Sequence, residues 1–316
     1  MNRIKQDAFV GTAATGGNPS VSVVIPCYNR APLIPRAVVS VQAQDYDNVE
    51  ILLVDDGSSD NTEAVVRDLI AADPRVRYFR HERNGGEAAA RNTGIKAATG
   101  DFIAFLDSDD EWLPGKLKAT VAALAAAPPS VGGVASRHLL VEDNGTETVV
   151  RDWTETDPIT CLNLLAKGCG LSMGNTLVVR RSVFADIGYC DETLPLFVDL
   201  DWLCRLTGKY RILMLPDVLA KYYKASMRRG EFVSGAVKKF EAKNASLLAS
   251  YTLKDRLRIK SRFYNYVSLA YAVNGPWHKF VTTRALHFLF NPFQHPGNYV
   301  HFLLALTGIA PIGKRT

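Results

Sequence analysis

Short β-branched runs alternate with helix-length segments from residue 21 to residue 107, and this alternation constrains the fold more than any other feature of the sequence. The runs that predict strands are 21–26, 50–56, 75–80 and 101–107, and the segments that predict helices are 32–44, 61–72 and 87–98. Runs that are apolar throughout are typical of strands covered on both faces, as in parallel sheets joined by crossover helices. We therefore predict an α/β fold with a Rossmann-like, mostly parallel sheet flanked by helices.

Beyond residue 107 the pattern becomes less regular, and towards the end it becomes helical. The predicted elements are a helix near 115–126, a strand near 131–136, a strand and helix over 176–188, and helices over 197–206, 231–250, 253–273 and 277–290, followed by a short apolar segment at 299–310. These elements divide the chain into a flexible leader (1–19), an α/β domain (20–228) and a basic helical C-terminal region (229–316).

Charge is divided unevenly along the chain. Residues 1–206 hold 19 Lys and Arg against 28 Asp and Glu, whereas residues 207–316 hold 18 against 4. A basic helical segment rich in aromatic residues favours an anionic membrane surface as a partner. Packing on the α/β domain and formation of a homodimer are the alternatives for the same residues. Nucleic acid is not expected as a partner, because no nucleic-acid-binding motif accompanies the charge.

No segment predicts secretion or membrane insertion. Residues 1–20 lack the apolar core of a signal peptide, and no apolar run reaches the roughly 18 residues that a spanning helix needs. The five cysteines are scattered without a CxxC pair, which is typical of reduced thiols rather than of a disulfide framework or a zinc site. We expect a cytoplasmic protein, peripheral on the inner face of the cell membrane if the basic region binds lipid.

Carboxylates follow two of the predicted strands at the point where each strand ends. Asp55 and Asp56 end the second strand, while Asp107 and Asp109, with Ser108 between them, end the fourth. The carboxyl ends of parallel strands meet at one edge of a sheet, where open α/β folds bind ligands. Oxygen ligands of this kind suit Mg²⁺ or Mn²⁺, which complete their coordination with water and substrate phosphates. The alternative is a solvated turn that caps a helix.

Five segments together resemble the inverting glycosyltransferases of family 2, which have the GT-A fold. They are VSVVIPCYNRA (21–31), EILLVDDGSSDNT (50–62), NGGEAAARNTGIKAATGDFIAFLDSDDEW (84–112), GNTLVVRRSVFADIG (174–188) and FVDLDWLCRL (197–206). The similarity covers about residues 20–228 in the family's order and spacing. It implies a GT-A catalytic domain, a nucleotide-sugar donor and a divalent cation, Mn²⁺ or Mg²⁺, as cofactor.

The same resemblance implies roles for individual residues. The nucleotide-sugar-binding residues would be Pro26, Tyr28, Asn29, Asp55, Asp56, Gly86, Arg91, Asp107, Ser108 and Asp109. The ring of Tyr28 would lie against the base. Asp56 would accept a hydrogen bond from uracil, and Asp55 would support the loop that carries it. Asp107 and Asp109 would form the metal-binding pair, with Asp109 nearer to the ion.

The resemblance also implies a general base, and the sequence departs from the family next to it. Asp199 matches the aspartate of the family's Glu-Asp motif and would remove the proton of the acceptor hydroxyl. Val198 precedes it, so the second carboxylate of that motif is absent. Asp201 would be structural or acceptor-facing, and Trp202 would be a core residue or an acceptor platform.

A second departure lies at residues 221–230, where many relatives carry a histidine and this chain has none. Lys224, Arg228 or Arg229 would contact the diphosphate in its place, and the alternative is a basic surface loop. His81 and His138 have no partner at a recognisable spacing, so we expect them to be ordinary structural or surface residues.

Taken together, the motifs predict a metal-dependent inverting glycosyltransferase. It would move a sugar from a UDP-linked donor to a hydroxyl of a glycan, such as a lipid-linked intermediate of a cell-surface polysaccharide. A divalent cation would neutralise charge on the leaving nucleoside diphosphate. One alternative is a sugar-nucleotide-binding subunit without turnover, suggested by Val198. The other is a sugar-phosphate nucleotidyltransferase, although no Gly-rich, Lys-bearing loop occurs near residue 30.

Overall fold

The computed structural model describes residues 18–150, 159–168, 170–224 and 228–290. Its strands are β1 (Val21–Cys27), β2 (Val49–Asp55), β3 (Val76–Arg80), β4 (Phe102–Phe105), β5 (Glu111–Trp112), β6 (Val131–Val141), β7 (Glu147–Val149), β8 (Leu177–Arg180) and β9 (Arg211–Tyr223). The predicted leader, except for residues 18 and 19, and the apolar segment at 299–310 lie outside the described residues.

Helices connect these strands and form the C-terminal part of the structure. They are α1 (Ile34–Gln42), α2 (Thr62–Ala72), α3 (Glu87–Ala97), α4 (Lys116–Ala126), α5 (Cys161–Ala166), α6 (Ser182–Ile187), α7 (Val198–Lys209), α8 (Gly230–Lys243), α9 (Ala245–Ala249), α10 (Leu253–Asn274) and α11 (Trp277–Phe290). Among the described helices, none is long and apolar enough to cross a membrane.

The strands form one sheet, in the order β3-β2-β1-β4-β8-β6-β9-β5, with β7 paired to β6. The four strands predicted from the alternating pattern pair in parallel, as expected of β-α-β connections. The other half of the sheet is mixed, because β8 runs antiparallel to both β4 and β6, whereas β9 runs parallel to β6. The predicted α/β class is confirmed, and the parallel portion of the sheet contains the four strands whose ends carry the predicted site residues.

Alternate residues of β1 face the two sides of the sheet, and each side is covered by helices. Val23 and Ile25 belong to a core with α1, α2 and α4, whereas Val24 belongs to a second core with α3, α6 and α7. Every residue of β1 is buried, which explains the uninterrupted apolar run. Helix α3 approaches the sheet closely at Gly94, where an added Cβ would lie 2.4 Å from Cγ1 of Val24.

The described part of the C-terminal region packs on the α/β domain. Phe240 of α8, Phe263 of α10 and Phe280 of α11 belong to the same hydrophobic core as Trp202 and Leu203 of α7. Residues 229–290 therefore pack on the domain, which is one of the three arrangements expected for this region.

Two alternatives from the sequence are resolved in α7. Trp202 is fully buried, stacks on Phe184 with ring centroids 4.9 Å apart and donates a hydrogen bond to the carbonyl oxygen of Gly188, so it is a core residue. Asp201 is buried as well and pairs with Lys243 of α8, Nζ to Oδ1 at 2.7 Å. Asp201 is therefore structural and joins the two helices.

Candidate active site

The loops that follow β1 and β2 are joined by Asn29, at the edge of the sheet where the parallel strands end. Asn29 has a left-handed backbone, with φ of 52°. Its amide oxygen accepts hydrogen bonds from the backbone N–H groups of Ser59 and Asp60, at 2.9 and 3.3 Å. Its own N–H donates to Oγ of Ser58 at 2.8 Å. The side chain predicted to line the nucleotide pocket therefore also fixes the shape of its rim.

Asp55 and Asp56 are both buried, and their carboxylates hold different loops. Asp55 accepts a hydrogen bond from the N–H of Ser58 at 2.8 Å and one from the hydroxyl of Tyr78 at 2.6 Å. Burial, and then this contact with Asp55, raise the pKa of Tyr78. Asp55 thus supports the loop after β2, in agreement with its predicted role.

Asp56 instead holds the loop before α3. Its Oδ1 and Oδ2 accept hydrogen bonds from the backbone N–H groups of Gly85 and Gly86, at 2.8 and 2.7 Å. Oδ1 also lies 2.7 Å from Nδ1 of His81, whose Nε2 lies 2.8 Å from Oγ1 of Thr93. A carboxylate has about four acceptor positions, so one remains for the predicted contact with uracil.

His81 is a structural residue, one of the two roles expected for it, and it is fixed between Asp56 and α3. A separation of 25 residues between His81 and Asp56 gives no motif that a sequence could reveal. Gly86 has φ of 91°, a left-handed value that glycine adopts without strain, and this conformation places its N–H against Asp56.

Tyr28 differs from its predicted neighbours because its side chain is 44% exposed. Pro26 lies within β1, paired with Val54 of β2, and is buried in the sheet. Ser108 is buried too. Among these three residues, Tyr28 alone presents a large side chain on the outer surface of the sheet edge.

Arg91 joins three carboxylates from three elements. Its guanidinium is fully buried, with Nη2 lying 2.6 Å from Oε1 of Glu87 and 2.8 Å from Oδ1 of Asp107. Nη1 contacts Oδ1 of Asp199, a residue 108 positions further along the chain. One buried cation therefore fixes the first aspartate of the Asp-x-Asp pair and the candidate base in the same site.

The electrostatics of this cluster are dominated by negative charge. Burial raises the pKa of Asp107 to about 7; Arg91 opposes this shift, and the charges of Glu87, Asp199 and Asp109 add to it. Glu87 was not among the predicted site residues, although it supplies a second carboxylate beside Asp199 where Val198 supplies none. No local pattern indicated Glu87, because its role depends on α3 and α7 meeting at Arg91.

The four acidic residues after β4 have different surroundings. Asp109 has a partly exposed carboxylate, with Oδ2 lying 3.5 Å from Nη2 of Arg30. Asp110 is buried and accepts a hydrogen bond from the N–H of Tyr223 at 2.9 Å, and burial raises its pKa to about 9. Glu111 accepts a hydrogen bond from the hydroxyl of Tyr223 at 2.9 Å. Asp107 and Asp109 therefore keep partly exposed carboxylates, whereas that of Asp110 is buried.

Asp107 and Asp109 fit a cation that is completed by its substrate. Within the described residues, no three His, Cys, Asp or Glu side chains form a group that could hold a metal ion by themselves. Mg²⁺ commonly binds through one or two carboxylates together with substrate phosphates, so two aspartates suffice for that type of site. Gly174 packs tightly behind Asp107, because a Cβ there would lie 2.1 Å from Oδ2.

Asp199 lies in the first turn of α7, where the helix dipole favours a negative charge. Its Oδ2 accepts a hydrogen bond from the N–H of Met173 at 3.2 Å. It faces a cavity of about 820 Å³. Elements from both halves of the chain line this cavity, among them Gly86, Glu87, Asp107, His138, Leu164, Leu171, Leu194, Phe197, Val198, Leu203, Tyr222, Phe263, Asn265, Tyr266 and His287.

The three cations proposed for the diphosphate differ in position. Lys224 forms an ion pair with Glu142, Nζ to Oε2 at 2.5 Å. Arg229 precedes α8 as its N-cap residue. Arg228 lies close enough for its charge to act on Glu87, whose pKa is raised overall: Arg91 lowers it most, burial and the charges of Asp199 and Asp109 raise it, and Arg228 has the smallest effect, a lowering one. Arg228 is thus the member of this group that the structure brings towards the carboxylates.

Comparison with known proteins supplies independent evidence. Residues 22–188, more than half of the chain, match the family described as Glycosyl transferase family 2. A protein of Escherichia coli described as UDP-Glc:alpha-D-GlcNAc-diphosphoundecaprenol beta-1,3-glucosyltransferase WfgD is 36% identical over 163 residues, which are 52% of this chain and 61% of that protein. Several curated relatives are matched over only 30% to 36% of their own length.

Solved structures share the fold. S. aureus TarS 1-349 in complex with UDP-GlcNAc has a TM-score of 0.56 at 18% identity, with 92% of both chains covered. The mannosyltransferase PcManGT from Pyrobaculum calidifontis, in complex with GDP-Man and Mn²⁺, has a TM-score of 0.57 at 19% identity, with 96% of this chain and 90% of that chain covered.

Proposed function

This chain belongs to glycosyl transferase family 2, and on that premise we propose that it is a metal-dependent inverting glycosyltransferase of the GT-A type. It moves a sugar from a UDP-linked donor to a hydroxyl of a lipid-linked glycan. The observation that carries this proposal is the contact of one buried guanidinium, that of Arg91, with both Asp107 and Asp199 in one cavity. That contact places the aspartate proposed to bind the cation and the aspartate proposed as the base on the same guanidinium.

The donor half of the proposal assigns the nucleotide to the edge of β1, β2 and β4. The exposed ring of Tyr28 stacks on the base, and the remaining acceptor position of Asp56 takes the N–H of uracil. UDP-GlcNAc in TarS and UDP-Glc in the name of the E. coli relative support a uridine nucleotide. PcManGT binds GDP-Man instead, so the preference of this chain for a uridine over a guanosine nucleotide has to be measured.

Asp107 and Asp109 would hold the cation against the donor. When bound there, Mn²⁺ or Mg²⁺ would act as a Lewis acid and stabilise the charge on the departing diphosphate. Mn²⁺ in PcManGT supports this choice of ion. Arg91 keeps Asp107 in place, and Arg228 adds positive charge near the carboxylates.

Asp199 is proposed as the general base. Arg91 and the N–H of Met173 hold its two oxygens in fixed positions, with the side chain 29% exposed to the cavity. An acceptor hydroxyl that loses its proton to Asp199 attacks the anomeric carbon from the face opposite to the leaving group, and a single displacement of this kind inverts the configuration. General-base catalysis of this kind contributes roughly 10² to 10⁴ in rate.

The acceptor is proposed to be a sugar linked through a diphosphate to a lipid, as in the name of the E. coli relative. Exposed basic residues on α10, Lys254, Arg256 and Lys260, would attract the anionic surface in which such a lipid lies. The protein would then act from the inner face of the cell membrane in polysaccharide biosynthesis, as a peripheral protein.

The full chain, incubated with a panel of nucleotide sugars and Mn²⁺, tests the proposal. We expect UDP release from a UDP-sugar, dependence on the cation and, with a lipid-linked acceptor, a product of inverted anomeric configuration by NMR. Donor binding without UDP release under any acceptor would instead indicate a binding subunit. Release of pyrophosphate from UTP and a sugar phosphate would indicate a nucleotidyltransferase. Retained configuration would contradict the single displacement.

A further inference from the structure

Helix α10 provides one wall of the cavity that contains Asp199. Phe263, Asn265 and Tyr266 line the cavity from this helix, although they are more than 60 residues beyond Asp199 in sequence. Tyr266 is half-buried, so part of its ring faces the cavity. Apolar side chains surround the same space, among them Leu171, Leu194, Leu196, Leu200 and Leu203. The C-terminal region thus belongs to the site as well as to the core.

The ring of Tyr266 is fixed relative to Asp199 through Phe197. Tyr266 packs edge-to-face on Phe197, with ring centroids 5.5 Å apart. Phe197 is the N-cap residue of α7, two positions before Asp199, and has a left-handed backbone with φ of 64°. A bulky residue adopts this conformation only where its surroundings enforce it. The rings of Phe240 and Phe263 pack on the ring of Phe197, with centroids 5.9 and 5.5 Å away, and hold it in this conformation.

Asp199 therefore has different neighbours on its two sides. Through Arg91 it contacts Asp107 and the proposed donor side, and through Phe197 it is tied to Tyr266. A hydroxyl that gives its proton to Asp199 must come from a group lying beside the base and away from the metal pair. The wall formed by α10 shares the cavity with Asp199 and is joined to the start of α7 through Phe197, which makes it the candidate for an acceptor subsite.

We propose that Tyr266 binds the pyranose ring of the acceptor, with the apolar C–H face of the sugar stacked on the exposed part of the tyrosine ring. This inference rests on the proposed function and extends it to a specific side chain. Binding pockets that combine aromatic and apolar walls with a few polar groups suit a ring with one apolar face and polar edges. Tyr266 is thus a specificity-determining residue, and Phe197 positions it relative to the base.

The test compares Tyr266→Ala and Tyr266→Phe with a matched control on the same helix. Tyr264→Ala serves as the control, because Tyr264 is also half-buried in α10, stacks on Phe290 at 5.5 Å and is not among the residues that line the cavity. The probes are octyl pyranosides of several sugars, added to the full chain with UDP and Mn²⁺, and octanol as the lipid-only probe. Saturation-transfer NMR then reports which protons lie against the protein.

We expect the ring protons of at least one pyranoside to receive saturation in the wild type. Its dissociation constant should rise about tenfold in Tyr266→Ala, the loss expected for removal of one aromatic contact, and stay within about twofold in Tyr266→Phe and Tyr264→Ala. UDP binding should be unchanged in all three variants. Thermal unfolding identifies any variant that fails to fold. If Tyr266→Ala does not fold, Tyr266→Phe is compared with the wild type instead. Its ring lacks only the hydroxyl, so it should still bind the pyranoside.

Three results would overturn the inference. They are a wild type that binds UDP and no pyranoside, equal losses in Tyr266→Ala and Tyr264→Ala, and saturation confined to the octyl chain, which would make the wall a lipid site. Failure of the proposed function is distinguishable from these, because it appears as the absence of nucleotide binding and of Mn²⁺-dependent UDP release in the wild type.

Discussion

At the scale of single residues, the site depends on one guanidinium that is shared by three acids. Arg91 cannot leave the cluster without exposing Glu87, Asp107 and Asp199 to their mutual repulsion. Removing one partner of a fully buried ion pair costs about 3–5 kcal/mol, and the cost here is smaller because water screens the three partly exposed carboxylates that remain. Arg91 is thus a positioning residue for both halves of the proposed reaction.

Asp109→Ala tests the assignment of the cation. We expect Mn²⁺-stimulated UDP release to fall by about 100-fold or more, because the ion that stabilises the leaving group loses a ligand. Asp110→Asn is the matched control: burial raises the pKa of Asp110 to about 9, so this group is protonated at neutral pH and an amide resembles it. Near-normal UDP release in Asp109→Ala would contradict the assignment.

Asp199→Asn tests the base. The rate of transfer should fall by roughly 10² to 10⁴, while the affinity for UDP stays the same, because the amide keeps the shape and cannot accept the proton. Asp201→Asn, two residues away, should instead lower the thermal stability, since Asp201 pairs with Lys243 and Arg205. Calorimetry with UDP and melting curves separate the two effects. Loss of UDP binding in Asp199→Asn would make Asp199 structural.

Several members of the site could be predicted from the sequence, and others could not. Asp55, Asp107 and Asp109 lie at strand ends or in the turns that follow, which an apolar run defines. Glu87 and His81 acquire their roles from partners on distant elements, and such contacts leave no local pattern. The sequence therefore predicts which residue types meet at the sheet edge better than it predicts their partners.

At the scale of elements, β1, β2 and β4 were predictable because each is a mostly apolar run, and β3 was predictable from the valine, tyrosine and phenylalanine between its arginines. Strand β9 was missed: Asp217 and Lys221 interrupt its sequence, Pro216 lies within it, and its pairing with β6 contains register shifts. The helix predicted over 231–250 is divided at Asn244 into α8 and α9. Irregular strand pairing and helix breaks depend on tertiary contacts, and the residue preferences along a sequence carry no information about such contacts.

Helix α4 contains a buried lysine that predicts a pH effect on stability. The Nζ of Lys116 donates hydrogen bonds to Oγ of Ser136 and the carbonyl oxygen of Thr176, both at 3.2 Å, and burial lowers its pKa to about 7. The unfolded chain binds this proton up to a pH near 10.4, so between those values the unfolded state is the more protonated one. The free energy of unfolding should therefore rise with pH, by at most about 1.4 kcal/mol per unit from this group.

Lys116→Met removes that contribution. Urea unfolding of both proteins at pH 7, 8 and 9 should show the stability of the wild type gaining on that of the variant as the pH rises. The difference between the two proteins cancels the titration of tyrosines and cysteines, which is common to both. A difference that stays constant over this range would mean that Lys116 is charged in the folded protein.

At the scale of the whole molecule, charge is distributed so that acids surround the site and bases cover part of the C-terminal helices. The described C-terminal helices share their core with α7, so deletion of residues 251–316 would uncover apolar surface and is a poor test of membrane binding. Replacement of exposed Lys254, Arg256 and Lys260 by Gln leaves that core intact.

The triple Gln variant should bind less well to vesicles that contain anionic lipid. Each basic residue near such a surface contributes about 1 kcal/mol, an attraction that salt screens. Co-sedimentation at low and high salt measures the loss, and neutral vesicles provide the reference. Unchanged binding to anionic vesicles would exclude these three residues as the contact.

The packing of Phe240 and Phe263 on Phe197 also has a consequence for synthesis of the chain on the ribosome. The motifs proposed to bind the donor leave the ribosome first, and the aromatic rings that pack on Phe197 emerge only with α8 and α10. We expect nascent chains stalled between these points to take up nucleotide sugar and yet transfer nothing, which activity measurements on stalled complexes would reveal.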